Sequence, residues 1–124
     1  MKSKLFAAGL LLMPAVASAQ SMNAQVFHQR ATALEKKGML ALFSGDLKAL
    51  MKEGKAAGAK ARQQRLAAVA AGQKPRFCPP DQPVSITSNE FMKRLAAIPQ
   101  AERSRIDMTE ATGRILTQKF PCRA

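Results

Sequence analysis

Two cysteines, each beside proline, constrain this chain more than any other feature. They stand in Cys78-Pro79-Pro80 and in Phe120-Pro121-Cys122. Proline locks φ and lacks an N–H, so Pro79 and Pro80 keep the backbone extended after Cys78, and Pro121 stops a helix just before Cys122. Both thiols are thereby presented on non-helical backbone that can adjust to a partner. A Cys78–Cys122 bond would close a loop over residues 79–121. The chain-entropy model credits such a loop with about 4 kcal/mol. The alternatives are two free thiols or a metal site. A metal needs more ligands, and the only histidine, His28, is far away in sequence. An intramolecular disulfide is the expectation.

The first residues point to a compartment where that bond persists. Lys2 and Lys4 precede an apolar run from Leu5 to Val16, and Ala17-Ser18-Ala19 has the small-x-small pattern of a signal cleavage site. The expected cut follows Ala19, so 1–19 is a signal peptide and 20–124 a single helical domain. The run is short for a membrane span, and no lipid-anchor cysteine follows it. The style of the signal suggests a bacterial periplasm, an oxidising space.

Charge narrows the partners. Without Lys2 and Lys4 the chain keeps 18 basic and 8 acidic residues, a net charge of +10 spread over both halves. That excess favours anionic partners: an acidic protein, or an anionic lipid or polymer of the envelope. Nucleic acid is disfavoured, because Trp and Tyr are absent and no zinc-finger or RNA-binding pattern occurs.

Helical spacing runs through the whole chain. Asn23 can cap a helix carrying Phe27, Ala31 and Leu34, which should end at Gly38. Met39, Leu40, Leu42 and Phe43 form an apolar connector. Ser44-Gly45-Asp46 then opens a helix from about Asp46 to Ala71, whose buried stripe is expected to hold Leu47, Leu50, Met51, Gly54, Gly58 and Ala61. The Gly54–Gly58 pair reads as a close crossing or a flexible point. Lys48, Lys52, Lys55 and Arg62 share another face, either a solvated side or a contact surface for something acidic.

A proline-rich linker, 72–86, follows. Thr87-Ser88-Asn89-Glu90 reads as a capping box for a short helix with Phe91, Leu95 and Ile98 inward. Asp107 and Glu110 cap a last helix with Met108, Ala111, Ile115, Leu116 and Phe120 inward. No strand-like alternation of any length interrupts this pattern. The expected fold is all-α, a small single-domain bundle of four or five helices closed by one disulfide.

Catalytic machinery is hard to assemble from these residues. His28 lies near an apolar stripe, the two cysteines are expected to be occupied with each other, and several acids have roles as helix caps. No glycine-rich phosphate loop, metal-ligand cluster or nucleophile elbow occurs. The reading is a non-enzymatic protein with no cofactor and no metal.

From Arg76 to Cys122 the layout resembles the Rap/Tai family of periplasmic immunity proteins. Phe77-Cys78-Pro79-Pro80 matches the family's Cys-x-Pro opening, Ile98-Pro99 its proline after a short helix, and Phe120-Pro121-Cys122 its aromatic-Pro-Cys close. The resemblance implies a small helical protein, often a homodimer, that binds and blocks a type VI secretion amidase cutting peptidoglycan. Inhibition there is steric. Many members carry a further cysteine and Gly/Tyr-rich features in the first half. This chain has no cysteine or tyrosine between Gln20 and Phe77, and instead carries the basic, alanine-rich helix around Lys48–Arg65. The implied partner is an acidic effector protein, met by Lys48, Lys52, Lys55 and Arg62. The alternative is a basic envelope protein that binds anionic lipid or polymer in a structural or stress role.

Overall fold

The computed structural model describes residues 21–123. The expected export segment and its cleavage position after Ala19 lie outside the described residues. Those described form α1 (Ala24–Lys36), a 3-10 strap (Gly38–Phe43), α2 (Gly45–Ala70), α3 (Ser88–Ala97), the single turn α4 (Gln100–Arg103) and α5 (Met108–Lys119). No strand occurs among them. One isolated antiparallel bridge pairs Asn23 with Asp107 and ties the start of α1 to the start of α5.

Short polar side chains set where the helices begin. Asn23 Oδ1 accepts from the N–H groups of Gln25 and Val26, Ser44 Oγ from Asp46, Thr87 Oγ1 from Glu90, and Asp107 Oδ1 from Glu110. Each satisfies donors that a helix start leaves open. Glu90 does not return a bond to Thr87. Its carboxylate is taken by Arg94 and Lys119 instead, so only half of the expected capping box forms. Gly38, at φ +57°, ends α1 and turns the chain into the strap.

The core follows the helical periods. Phe27, Ala31 and Leu34 of α1 meet Leu50 and Ala57 of α2, Leu95 and Ile98 of the α3 region, and Met108, Ala111 and Ile115 of α5. Leu95, Met108 and Ile115 are fully buried. Phe27 and Phe91 pack edge to face, with ring centroids 6.2 Å apart.

Helix α2 packs mainly along α5 and, nearer its start, on α1. Only Leu50, Ala57 and Ala61 of its 26 residues are buried. Its many alanines and long straight side chains make it a helix by propensity as much as by packing. Two expectations for α2 need correction. Met51 is not part of the buried stripe but 54% exposed. Nor do Gly54 and Gly58 mark a close crossing, since a Cβ at either would meet nothing within 4 Å. The close approach is at Gly113 of α5, where a Cβ would come 2.8 Å from an Arg76 guanidinium nitrogen.

The two cysteines are joined, with Cα atoms 4.9 Å apart. The bond fastens the linker to the end of α5, and the Cys78 N–H donates to the Phe120 carbonyl at 2.8 Å beside it. Phe77 is buried next to this staple, with the Arg65 guanidinium 5.8 Å from its ring centre.

Candidate binding site

Electrostatic pairing inside the fold decides which charges are left for a partner. Six ion pairs occur among the described residues: Arg30–Asp46, Arg76–Glu110, Arg94–Glu90, Lys119–Glu90, Arg114–Glu102 and Arg114–Glu110. Glu53 accepts from the Met22 N–H and from Ser21 Oγ, and Asp107 caps α5. Six of the chain's eight carboxylates are thus engaged within the fold.

These pairs leave a mark on titration. Lys119, then Arg94, hold the Glu90 carboxyl below the usual carboxylate range; Arg76, then Arg114, do the same for Glu110, and Arg30 for Asp46. A carboxyl with a lowered folded-state pKa stabilises the fold at neutral pH. The unfolded chain takes up protons first as pH falls, so the contribution is lost from the ordinary range near 4 downward. The thermal midpoint is therefore expected to hold near neutrality and to fall steadily between about pH 5 and pH 2, less steeply in high salt because the pairs are exposed. A thermal melt at each pH checks it; a flat profile to pH 2 would refute the assignment.

None of the six pairs involves Lys48, Lys52, Lys55 or Arg62. All four side chains are exposed on α2. Lys48, Lys52 and Lys55 lie within two turns and, with Met51, line a cleft of about 360 Å³. Arg62 is seven residues beyond Lys55, about 10 Å along the axis at helical rise, and lines neither this cleft nor its neighbour. The structure therefore gathers three of the four expected residues into one place and leaves Arg62 apart.

Beside the lysines lies a feature that sequence reasoning missed. A groove of about 580 Å³, walled by α1, the strap, α2 and the start of α3, has a mainly apolar lining. Phe27, Leu34, Leu47, Leu50, Phe91 and Met92 contribute to it. Met51 and Lys55 line both cavities, so groove and cleft lie side by side across these two residues.

The strap adds a protruding edge. Met39 is 80% exposed, Leu40 72%, Leu42 64% and Phe43 89%. Isolated exposed apolar side chains are ordinary, but here four come from one six-residue segment, an unusual concentration of exposed apolar surface. The signal available in the sequence was the run Met39–Phe43 between Gly38 and Gly45, apolar with no polar face to set against a core.

His28 is only half-buried; burial, then the nearby Arg103 charge, keep its imidazole below its ordinary pKa. No group of three or more His, Cys, Asp or Glu among the described residues is placed to hold a metal ion. No helix among them is long and apolar enough to cross a membrane. Searches of protein-family models, curated proteins and solved structures find no match to the chain.

Proposed function

We propose that this chain is a non-enzymatic binding protein that works outside the cytosol and captures an acidic protein through the strap and the lysine face of α2. The observation that carries the reading is that Lys55, which shares a cleft with Lys48 and Lys52, also lines the groove bordered by Leu42 of the exposed strap, and that none of the three lysines is in an ion pair among the described residues. An apolar centre bordered by charge is the common anatomy of a specific protein interface. Like charge weighs against a second copy as the occupant, since both copies would carry the same basic excess. The resemblance to the Rap/Tai immunity proteins over residues 76–122 supplies the kind of partner, a peptidoglycan amidase effector blocked sterically.

Pull-down from the host's periplasm, read by mass spectrometry, identifies the partner. The triple reversal K48E/K52E/K55E is expected to weaken its capture at least about tenfold while circular dichroism stays unchanged. Capture at full strength would remove the lysine face from the mechanism. Salt separates this reading from adsorption to an anionic lipid or polymer. Contacts made by exposed charge alone fade as ionic strength rises, whereas an interface centred on Leu40 and Phe43 persists.

A further inference from the structure

The geometry points to a second binding capacity, a site for a single-chain anionic amphiphile, its apolar tail in the groove and its carboxylate or phosphate among the lysines of α2. Two observations meet here. The groove is lined by apolar side chains, and its size of about 580 Å³ lies within the range typical of small-molecule sites, roughly 300–1,000 Å³. Among the described residues, the adjoining cleft is lined by Lys48, Met51, Lys52 and Lys55. An occupant with its tail in the groove and its head across Met51 and Lys55 goes from apolar contact to the three ammonium groups of the cleft.

The helix dictates that succession. Residues 48, 51, 52 and 55 are spaced three, one and three apart, so they fall on one face over two turns. Leu47, Leu50 and Gly54 are offset toward the groove and join its lining. Gly54 contributes no side chain, which keeps the groove open where it nears the lysines. One acidic side chain, Glu35, also lines the groove. Among the described residues, three cations against one anion, with none of the three in an ion pair, give the site its preference for a negative headgroup. Lysine suits a headgroup of either kind, because its ammonium acts as a compact point charge with rotatable donors. A cationic or neutral amphiphile would gain the tail contacts but not the head contacts.

This inference does not rest on the acidic-partner reading, because the isolated protein decides it. The test titrates the secreted, disulfide-bonded protein into a dansyl-labelled undecanoate probe, with every amphiphile kept below its micelle concentration. Saturable enhancement with one probe per chain is expected. Hexadecanoate and lysophosphatidylglycerol should displace it, and whichever does so at lower concentration identifies the headgroup source as a free fatty acid or a lipid fragment. Hexadecanol should displace at least about tenfold less well. The variant Gly54→Leu fills the groove, and a Cβ there meets no neighbour within 4 Å, so the fold should be retained. It is expected to weaken probe binding at least about tenfold with an unchanged or raised thermal midpoint. K48Q/K52Q/K55Q should bring hexadecanoate and hexadecanol to within about threefold of each other. Absent saturation, equal displacement by acid and alcohol, or full probe binding by Gly54→Leu would each overturn the proposal. Loss of the acidic partner in Gly54→Leu with probe binding intact would assign the groove to a protein segment instead.

Discussion

Serine at both Cys78 and Cys122 is expected to lower the stability of this protein by about 4 kcal/mol. The bond spans 44 positions of sequence, and its main action is to deny the unfolded chain the freedom to separate those ends. Domains of this size have only about 5–15 kcal/mol in total, so the loss is a large fraction. The native consequence is local as well. Residues 73–87 contain no regular helix and are held by few contacts: the disulfide, buried Phe77, and the two-point Arg76–Glu110 pair with both distances 2.7 Å. Without the covalent tie, the Cys78 N–H bond to the Phe120 carbonyl, the Arg76–Glu110 pair and the bond from Thr117 Oγ1 to the Arg76 carbonyl are left to hold the linker to α5. Urea unfolding checks this, with a midpoint expected to fall by about 2 M in the double variant and in wild type under reductant. Equal midpoints with and without reductant would show that the bond contributes little.

Arg103→Ala should cost about 3 kcal/mol, second only to loss of the disulfide. Arg103 is only 7% exposed, unusual for arginine, and no carboxylate pairs with it among the described residues. Its guanidinium donates instead to the carbonyls of Ala96 and Ile98 and, through Nε, to Gln25 Oε1 at 2.8 Å. The two carbonyls belong to the end of α3, where helical carbonyls lack partners and a cation is favoured. One side chain thus closes α3, fixes the turn α4 and reaches α1. Removing it strands buried acceptors, and an unmade buried hydrogen bond costs more than a made one contributes. Arg103→Lys should recover less than half, because an ammonium cannot present three donors across that fork. A second readout is independent of stability. The Arg103 charge helps keep the His28 pKa down, so NMR titration of His28 in Arg103→Ala should move it upward. An unmoved His28 together with unchanged stability would refute the role.

Some of this was legible in the chain itself. The caps Asn23, Ser44, Thr87 and Asp107 were readable because a cap relates a side chain to N–H groups two or three residues on. The inward positions Phe27, Leu34, Leu95 and Ile115 were readable because period and burial coincide in α1, α3 and α5. In α2 that contrast fails. Alanine and glycine occupy several faces, so nothing local showed that Met51 would face outward or that Gly54 would border a groove. Arg103 was one basic residue among many, and its burial depends on carbonyls seven and five residues earlier in chain and on Gln25 in another helix.

The amino-acid order alone indicated the four longer helices and their starting points and made the Cys78–Cys122 bond the expectation, because each follows from short-range sterics, a repeat of about 3.6 residues or the presence of only two thiols. It also aligned Lys48, Lys52 and Lys55. Only the tertiary structure decided that these lysines border an apolar groove, that the strap is left uncovered and that Arg103 is enclosed. Each of those depends on how segments far apart in the chain come to lie against one another, and packing between helices is set by the whole set of buried faces at once.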